Sequence, residues 1–241
     1  MSPTRLLVAD YTNRTLRLLD GVDGGVVSRV TLSDEPRGVC VLSDGKAAVT
    51  LRKVKEIQLV RVVADTLELD RPIAVEMEVA GIAEYGSNNL VVSCQNPSKV
   101  VMMTLNGQVI DEMDNQKAGK QLFQNKNFIA ISNSGDIFVS DVGTRTITQM
   151  DRTLRITHTF TIPTLTTPHG IVSVSTDQLL VADRDSHCIV ILNPTNGTVT
   201  PLLGQSDGIQ KPRAIAWCPA SEKLYVGRCE SRSTLRVFTK I

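Results

Sequence analysis

The sequence predicts an all-β fold built from one repeated unit, and three observations support this. A pair of apolar strands joined by a polar turn recurs along the 241 residues, with equivalent positions 41, 43, 47, 42 and 45 residues apart. A shorter apolar strand precedes the pair in five of the copies, at nearly the same intervals. The apolar residues are mostly Val, Ile and Leu, which suit pleated strands packed face to face. A repeat of about 40–45 residues with several strands is typical of a β-propeller. We therefore predict a single six-bladed β-propeller domain covering residues 1–241.

The recurring pair supplies two middle strands of each unit, which we name B and C. It reads LLVAD-YTNRT-LRLLD in the first copy and QLLVAD-RDSHC-IVILN in the fifth, while the second and last copies are eroded. The copies begin, in chain order, at Leu6, Ala47, Asn89, Asp136, Gln178 and Lys223. The equivalent positions that end strand B are Asp10, Leu51, Cys94, Asp141, Asp183 and Arg228.

The shorter strand, named A, is predicted to be the innermost strand of each blade. Its copies open at Pro36, Val79, Lys126, Pro168 and Pro212. Proline begins a strand without removing a ladder hydrogen bond, and the glycine that often follows lets backbones crowd where blades converge. Tight turns such as Ser43–Gly45 then join strand A to strand B. An outer strand D follows strand C, as in residues 198–203.

The two ends of the chain are each short by one strand. Strands B, C and D are legible in the first repeat, and strands A, B and C in the last. We expect strand A of the first blade and strand D of the last to be missing. The sequence therefore indicates either a part of a larger protein or a ring that is incompletely closed.

Composition narrows the functional classes. The net charge is +1, so no global field draws the chain to nucleic acid or to a membrane. No window of 18 apolar residues indicates a membrane span, and the N-terminus lacks the apolar stretch of a signal peptide. The five cysteines include no CxxC pair, which favours a reduced, cytoplasmic setting.

The motifs resemble the NHL repeat, which occurs in six-bladed propellers. The resemblance rests on P-x-G-I-x-V, S-D-G and L-L-V-A-D followed by a polar turn, and it is strongest at residues 168–197 and 6–20. Thr15, Thr146 and Cys188 stand where the turn of that family carries arginine. NHL propellers often end animal tripartite-motif proteins, which act as ubiquitin ligases through other domains. The resemblance implies that this chain is the recognition module of such a protein.

Residues suited to catalysis or metal binding are few. Asp10, Asp141 and Asp183 share one position in separate blades, and we interpret them as caps of their own B–C turns rather than as a cation site. His169 and His187 have no evident third ligand, and His158 falls in an outer strand. No nucleophile, phosphate-loop or zinc-protease motif is present. We predict no enzyme activity, no cofactor and no small-molecule substrate, and keep a metal-dependent propeller hydrolase or lyase as an alternative.

The predicted faces of the propeller differ in charge. The B–C turns share one face with the D–A loops and are rich in basic residues, whereas the A–B and C–D turns are acidic. Acidic residues of the D–A loops dilute the basic charge, among them Glu35 and Glu78. We predict partner-binding residues on the B–C turns at Tyr11, Arg14, Arg52, Lys53, Lys99, Arg145, Arg184 and Arg228. Residues that open strands A are expected to line the channel on that face, namely Arg37, Asn127, His169 and Arg213.

This surface predicts a non-catalytic scaffold that binds a protein partner. The alternative partner is RNA, whose phosphates arginine and lysine would bind, although Tyr11 is the main candidate for stacking on a base. No contact with a membrane is expected. The longest D–A insertion, predicted at residues 111–126, is a second candidate contact region.

Overall fold

The chain is all-β, and its six antiparallel sheets are the blades of a six-bladed β-propeller. The computed structural model describes residues 5–116, 119, 123–124, 128–228 and 235–239. This confirms the predicted fold class and number of blades. Contacts divide the chain into two compact units, Met1–Met113 and Asp114–Ile241. The assignment of residues 1–241 to one domain stays a prediction.

The first unit contains three blades. The first blade has three strands and the next two have four each. Their bounds are β1 Arg5–Asp10, β2 Thr15–Asp20, β3 Val26–Thr31, β4 Pro36–Val41, β5 Ala47–Leu51, β6 Glu56–Val63, β7 Thr66–Ala74, β8 Val79–Tyr85, β9 Asn89–Gln95, β10 Ser98–Thr104 and β11 Val109–Asp114.

The second unit also contains three blades, of four, four and three strands. A short 3₁₀ helix at Gln205–Asp207 lies before the last blade. The strand bounds are β12 Phe128–Ile131, β13 Ile137–Asp141, β14 Thr146–Met150, β15 Ile156–Thr161, β16 Pro168–Ser175, β17 Gln178–Asp183, β18 Cys188–Leu192, β19 Val199–Leu203, β20 Pro212–Cys218, β21 Lys223–Arg228 and β22 Leu235–Thr239.

Successive strands pair in the order predicted from the repeats. Each four-stranded sheet runs A-B-C-D, for example β16-β17-β18-β19 in the fifth blade. Within the described residues, the first sheet begins at strand B and the last ends at strand C. The sequence prediction of one missing strand in each terminal blade is therefore confirmed for this part of the chain.

The core consists of apolar residues packed between neighbouring sheets. In the first unit, Leu16 and Leu18 of strand β2 pack with Val49 and Leu51 of strand β5. All four side chains are buried, because they lie between two sheets that pack face to face. Cys94 lies in a second apolar cluster of this unit, and burial raises the pKa of its thiol to about 12. This agrees with its interpretation as a small buried hydrophobe.

The inner strands approach one another closely, as predicted from their glycines. A Cβ atom at Gly38 would lie 2.6 Å from the carbonyl oxygen of Ala80 in the next blade of the first unit. In the second unit, a Cβ atom at Gly170 would lie 2.8 Å from the carbonyl oxygen of Arg213. Glycine is needed at both positions because any larger residue would overlap the neighbouring backbone.

The predicted insertion at residues 111–126 begins later than the sequence suggested. Strand β11 extends to Asp114, so the first four residues of the predicted insertion belong to the outer strand of the third blade. Alternating hydrophobicity is weak in this strand, because an outer strand has few buried positions. Residues 117–118, 120–122 and 125–126 of the insertion lie outside the described residues. Across the described part of the chain, no helix is long and apolar enough to cross a membrane.

Candidate functional site

The aspartates that end the B strands cap their own turns. The carboxylate of Asp10 accepts hydrogen bonds from the backbone N–H and the side-chain amide of Asn13, at 3.0 and 2.8 Å. Burial raises the pKa of Asp10, but the hydrogen bonds from Asn13 and the charge of Arg17 outweigh it and leave the pKa below its usual value. Asp141 similarly accepts from the backbone N–H groups of Gly143 and Thr144. The interpretation as turn caps is confirmed.

Two of these carboxylates also hold the preceding D–A loop. Asp141 accepts from the backbone N–H of Gln124 at 2.7 Å. Asp183 accepts from the backbone N–H groups of Thr166 and Thr167, at 2.6 and 2.9 Å. Burial raises the pKa of Asp183, but the hydrogen bonds from Thr166 and Thr167 together lower it by more, so the pKa lies below its usual value. One carboxylate thus fastens two neighbouring loops of the B–C face, which sequence spacing alone did not reveal.

In the second repeat, the B–C turn and the preceding D–A loop are also joined, but the carboxylate belongs to the loop and the N–H group to the turn. Leu51 occupies the aspartate position, and its B–C turn is held instead by Asp34 of the preceding D–A loop. The Asp34 carboxylate accepts from the backbone N–H of Lys53 at 2.8 Å. The second repeat therefore has its carboxylate in the loop instead of the turn, and the loop and the turn are still joined.

Four predicted partner-binding residues of the first unit meet around Glu35. The Arg37 guanidinium lies over the Tyr11 ring, 4.6 Å from its centroid. The Glu35 carboxylate lies 2.8 Å from Lys53 Nζ and 3.8 Å from an Arg14 nitrogen. The neighbouring Lys53 ammonium group and Tyr11 hydroxyl group lower the pKa of Glu35. We name Tyr11, Arg14, Glu35, Arg37 and Lys53 the Tyr11 cluster.

The Tyr11 cluster is accessible to a partner. The Tyr11 side chain is 39% exposed, and the Arg14 and Lys53 side chains are more than half exposed. The Arg37 guanidinium is attracted to the face of the Tyr11 ring, which remains partly exposed. Arg14 and Lys53 lie beside the Glu35 carboxylate and Arg37 lies on the Tyr11 ring, so the formal charges of the cluster sum to a positive value.

The other predicted basic residues are largely matched by acceptors nearby. Arg52 pairs with Glu78 at 2.7 Å, and Lys99 pairs with Glu112 at 2.6 Å. In the second unit, Arg184 lies 3.7 Å from the Asp185 carboxylate. Arg228 donates to the carbonyl oxygen and to the side chain of Gln210. The prediction that acidic residues dilute the basic charge of this face is thus supported at atomic distances.

The remaining predicted site residues lie in the second unit. Arg145 is exposed in the B–C turn of the fourth blade. Arg213 is half-buried near the start of strand β20, and His169 is buried in strand β16. Asn127 lies outside the described residues.

Four B–C turns share a backbone feature that the sequence analysis missed. Arg14, Lys55, Arg145 and His187 each follow the strand B terminus by four residues, and their φ angles lie between 51° and 57°. This left-handed conformation is unfavourable for residues with a Cβ atom. Glycine or asparagine usually indicates a left-handed residue, and neither stands at these four positions. Only their constant distance from the end of strand B could have predicted the conformation.

The histidines have separate surroundings. The His169 ring contacts the Phe128 ring edge-on, at 5.6 Å between centroids. His187 Nδ1 accepts a hydrogen bond from the backbone N–H of Lys211 at 3.2 Å, another link between a B–C turn and a D–A loop. His158 lies against Phe160 in the outer strand β15. In the described ranges, no group of three or more His, Cys, Asp or Glu side chains is placed to hold a metal ion.

Comparison with known families identifies an NHL repeat at residues 165–192. These residues comprise the end of a D–A loop and strands A, B and C of the fifth blade. The sequence resemblance is therefore confirmed for this copy, while a relation to tripartite-motif proteins stays a prediction. No curated protein matches the sequence significantly.

Solved structures share the fold at low sequence identity. Virginiamycin B lyase from Staphylococcus aureus is 15% identical with a TM-score of 0.69, covering 100% of this chain and 82% of that chain. A protein of unknown function from Bacteroides caccae is 18% identical with a TM-score of 0.72, covering 95% of this chain and 84% of that chain. The Cps50 (Swd1) β-propeller domain from Myceliophteria thermophila is 14% identical with a TM-score of 0.69, covering 99% and 81%. At these identities, the similarity shows the fold alone.

Proposed function

We propose that the chain is a non-catalytic interaction scaffold that binds a protein partner through the B–C face of its first unit. The observation that carries this proposal is the Tyr11 cluster, in which an exposed tyrosine is stacked under Arg37. Tyrosine and arginine are enriched among the residues that dominate protein–protein binding energies. An ordered aromatic side chain also loses little conformational entropy when a partner covers it.

The charge pattern favours a protein over RNA. Binding of RNA derives much of its affinity from phosphates that release counterions from lysine and arginine. Glu35, Glu78 and Glu112 already pair with Arg14, Arg52, Lys53 and Lys99, which belong to three B–C turns. A protein partner with a few carboxylates and an apolar contact for Tyr11 would use the cluster without displacing these ion pairs.

The resemblance to NHL repeats supplies a cellular context for this proposal. The chain would act as the substrate-recognition module of a ubiquitin-ligase-type protein, with the ligase chemistry provided by other domains. The NHL repeat at residues 165–192 supports this context. The fold shared with virginiamycin B lyase gives no support to lyase chemistry in this chain, because the identity is 15%.

The test begins with the chain as a tagged bait and identification of crosslinked proteins, followed by affinity measurements on the purified partner. We expect Tyr11→Ala and Arg37→Glu each to weaken binding by about tenfold or more, the effect of losing a residue that dominates an interface. The matched control is Arg61→Glu, since Arg61 is exposed, pairs with Glu68 and lies by the C–D turn of the second blade.

The same measurements separate the alternatives. A partner whose affinity is equal for the wild type and both cluster variants would contradict the proposed site. Binding that disappears after ribonuclease treatment and falls steeply with salt would assign the surface to RNA instead.

A further inference from the structure

A titratable side chain joins two loops of the second unit. His187 lies in the B–C turn of the fifth blade, and its Nδ1 atom accepts a hydrogen bond from the backbone N–H of Lys211 at 3.2 Å. Lys211 is the last residue of the D–A loop at residues 204–211, which leads into the last blade. In the links made by Asp141 and Asp183, the acceptor is a carboxylate. The link at His187 therefore depends on a different kind of acceptor.

Protonation of the imidazole is incompatible with this hydrogen bond. A neutral imidazole has one nitrogen that donates and one that accepts, whereas both nitrogens of the imidazolium ion are donors. Nδ1 can therefore accept from Lys211 only while His187 is neutral. Histidine side chains ordinarily change their charge between about pH 8 and pH 5. The link should thus be present at the upper end of this range and lost at the lower end.

The backbone is unfavourable on both sides of the link. The φ angle is 54° at His187 and 43° at Lys211, and both residues carry a Cβ atom. Left-handed residues of this kind persist where the surrounding contacts hold them in place. The hydrogen bond between the two residues is one such contact. Its loss therefore favours a change of backbone conformation in the turn and in the end of the loop.

The charges around His187 act in both directions. The titratable and charged groups nearby on its own blade are Asp183, Arg184, Asp185, Cys188 and His169. Those on the facing loop and the last blade are Asp207, Lys211, Arg213 and Arg228. Carboxylates favour the imidazolium ion and cations oppose it, and aspartate, lysine and arginine ordinarily keep their charges between about pH 8 and pH 5. Burial raises the pKa of the Cys188 thiol, which stays neutral.

We propose that the hydrogen bond between His187 and Lys211 is a pH-sensitive link, which releases the end of the D–A loop from the B–C turn on mild acidification. The rest of the loop stays in place. Arg228 donates to the carbonyl oxygen of Gln210 at 3.1 Å, and Ile209 is buried in an apolar cluster of the unit. The response is therefore a local rearrangement of the turn and the loop end, and the blades remain folded.

The link lies in a basic part of the B–C face. Arg184 precedes His187 by three residues, and Arg213 follows Lys211 by two. Both arginines are among the predicted partner-binding residues, so the release would change how this part of the face is presented. This inference concerns the second unit and is independent of the function proposed for the Tyr11 cluster.

Nuclear magnetic resonance of the ¹⁵N-labelled full chain tests the link directly. The ¹⁵N shifts of the imidazole report the protonation of His187. Hydrogen exchange of the Lys211 amide, corrected for the intrinsic rate at each pH, reports the opening of the link. We expect the protection of this amide to fall by about tenfold between pH 8 and pH 5, the effect of losing one hydrogen bond, in parallel with protonation of His187.

Asparagine provides the matched variant. Its Oδ1 atom can accept from the Lys211 N–H at any pH, and asparagine tolerates the left-handed region. His187→Asn should therefore keep the amide protected at both pH values, whereas His187→Ala should leave it unprotected at both. His158→Asn, in the outer strand β15, removes a histidine elsewhere in the unit and should retain the pH dependence of the wild type.

Three results would overturn the proposal. Unchanged protection of Lys211 while the imidazole of His187 becomes protonated would show that the hydrogen bond does not hold the loop. A loss of protection at low pH that persists in His187→Asn would assign the response to another group, such as His169. A simultaneous loss of protection throughout the strands would show unfolding of the unit instead of a local release.

Discussion

The hydroxyl of Thr50 joins two neighbouring blades by donating a hydrogen bond to the carbonyl oxygen of Ala80, 2.5 Å away. The Thr50 hydroxyl oxygen in turn accepts a hydrogen bond from the backbone N–H of Gly38 at 2.8 Å. One side chain thus satisfies two backbone groups on adjacent inner strands of the first unit. Ser140 makes a corresponding hydrogen bond to the carbonyl oxygen of His169 in the second unit.

Replacement of Thr50 by valine should destabilise the chain. The change keeps the size of the side chain but leaves the Gly38 N–H and the Ala80 carbonyl without this partner. Leaving buried polar groups unsatisfied costs about 1–3 kcal/mol. The free energy of unfolding, measured by urea denaturation, should fall by that amount for Thr50→Val.

Thr148 provides the matched control for this substitution. It is also fully buried, but its hydroxyl has no hydrogen-bond partner among the described residues. Thr148→Val should therefore leave the free energy of unfolding unchanged or raise it. Equal losses for the two variants would show that the hydroxyl of Thr50 contributes no specific stabilisation.

Substitution of the inner-strand glycines should also destabilise the chain. At Gly38 and Gly170, an added Cβ atom would overlap backbone atoms of the neighbouring strand, which cannot rotate away. Gly38→Ala and Gly170→Ala should each lower the free energy of unfolding by about 1–3 kcal/mol, the usual cost of overpacking.

Gly204 serves as the comparison, because its added Cβ would meet no atom within 4 Å and its φ angle is −139°. Gly204→Ala should leave the free energy of unfolding within about 1 kcal/mol of the wild type, on the stabilising side. A neutral effect of Gly38→Ala would mean that the inner strands can separate at little cost.

The contribution of Asp183 should depend on pH. Its pKa is lower in the folded chain than in the unfolded chain, since burial is outweighed by the N–H groups of Thr166 and Thr167. The ionised group therefore stabilises the fold fully above the unfolded pKa of about 3.9, and this stabilisation is lost as the pH falls below that value. Asp183→Asn should reduce stability at pH 7 and should flatten the decline of stability below about pH 4.

Denaturation of the two proteins from pH 7 to pH 3 measures this effect. The gap between wild type and Asp183→Asn should narrow on acidification. Asp136→Asn, at a partly buried aspartate before strand β13, is the control for the loss of one negative charge. A gap that is constant with pH would indicate that the carboxylate acts only by packing.

Arg145 should be unfavourable for stability in its own turn. Its φ angle of 57° lies in the left-handed region, where glycine has no steric penalty. Arg145→Gly should raise the free energy of unfolding by roughly 1 kcal/mol, within the range for relief of a left-handed residue. Thr153 is exposed in a turn and its φ angle is not positive, so Thr153→Gly should not stabilise the chain.

The affinity of Arg145→Gly for a partner tests whether the Arg145 side chain belongs to the binding surface. If the Arg145 side chain contacts a partner, Arg145→Gly will bind more weakly although it is more stable. Equal affinity would restrict the site to the Tyr11 cluster of the first unit. A loss of stability would contradict the strain argument.

The repeated features were predictable from sequence because they recur. The period of the B–C hairpins set the number of blades, and the Pro and Gly residues of strand A indicated the crowded inner strands. Asp10, Asp141 and Asp183 were recognised as turn caps because they occupy one position in separate repeats. Outer strand β11 was misjudged because few of its residues are buried, so periodicity was a poor guide there.

Contacts between residues distant in sequence required the tertiary structure. Three such contacts depend on how loops of adjacent blades meet. They are the stacking of Arg37 on Tyr11, the approach of Arg14 and Lys53 to Glu35, and the hydrogen bond by which Asp34 holds the B–C turn of the second blade. Local sequence patterns carry no information on such distances. They report which side of a strand is buried, not which loop lies opposite.

The sequence by itself determined the all-β repeat and its six copies, since hydrophobic alternation and turn residues act within a few positions along the chain. Tertiary structure decided which charges are neutralised and which arginine lies on the exposed Tyr11 ring. The reason is that ion pairing, stacking and burial depend on distances in space, and in this fold those distances are set by the packing of one blade on the next.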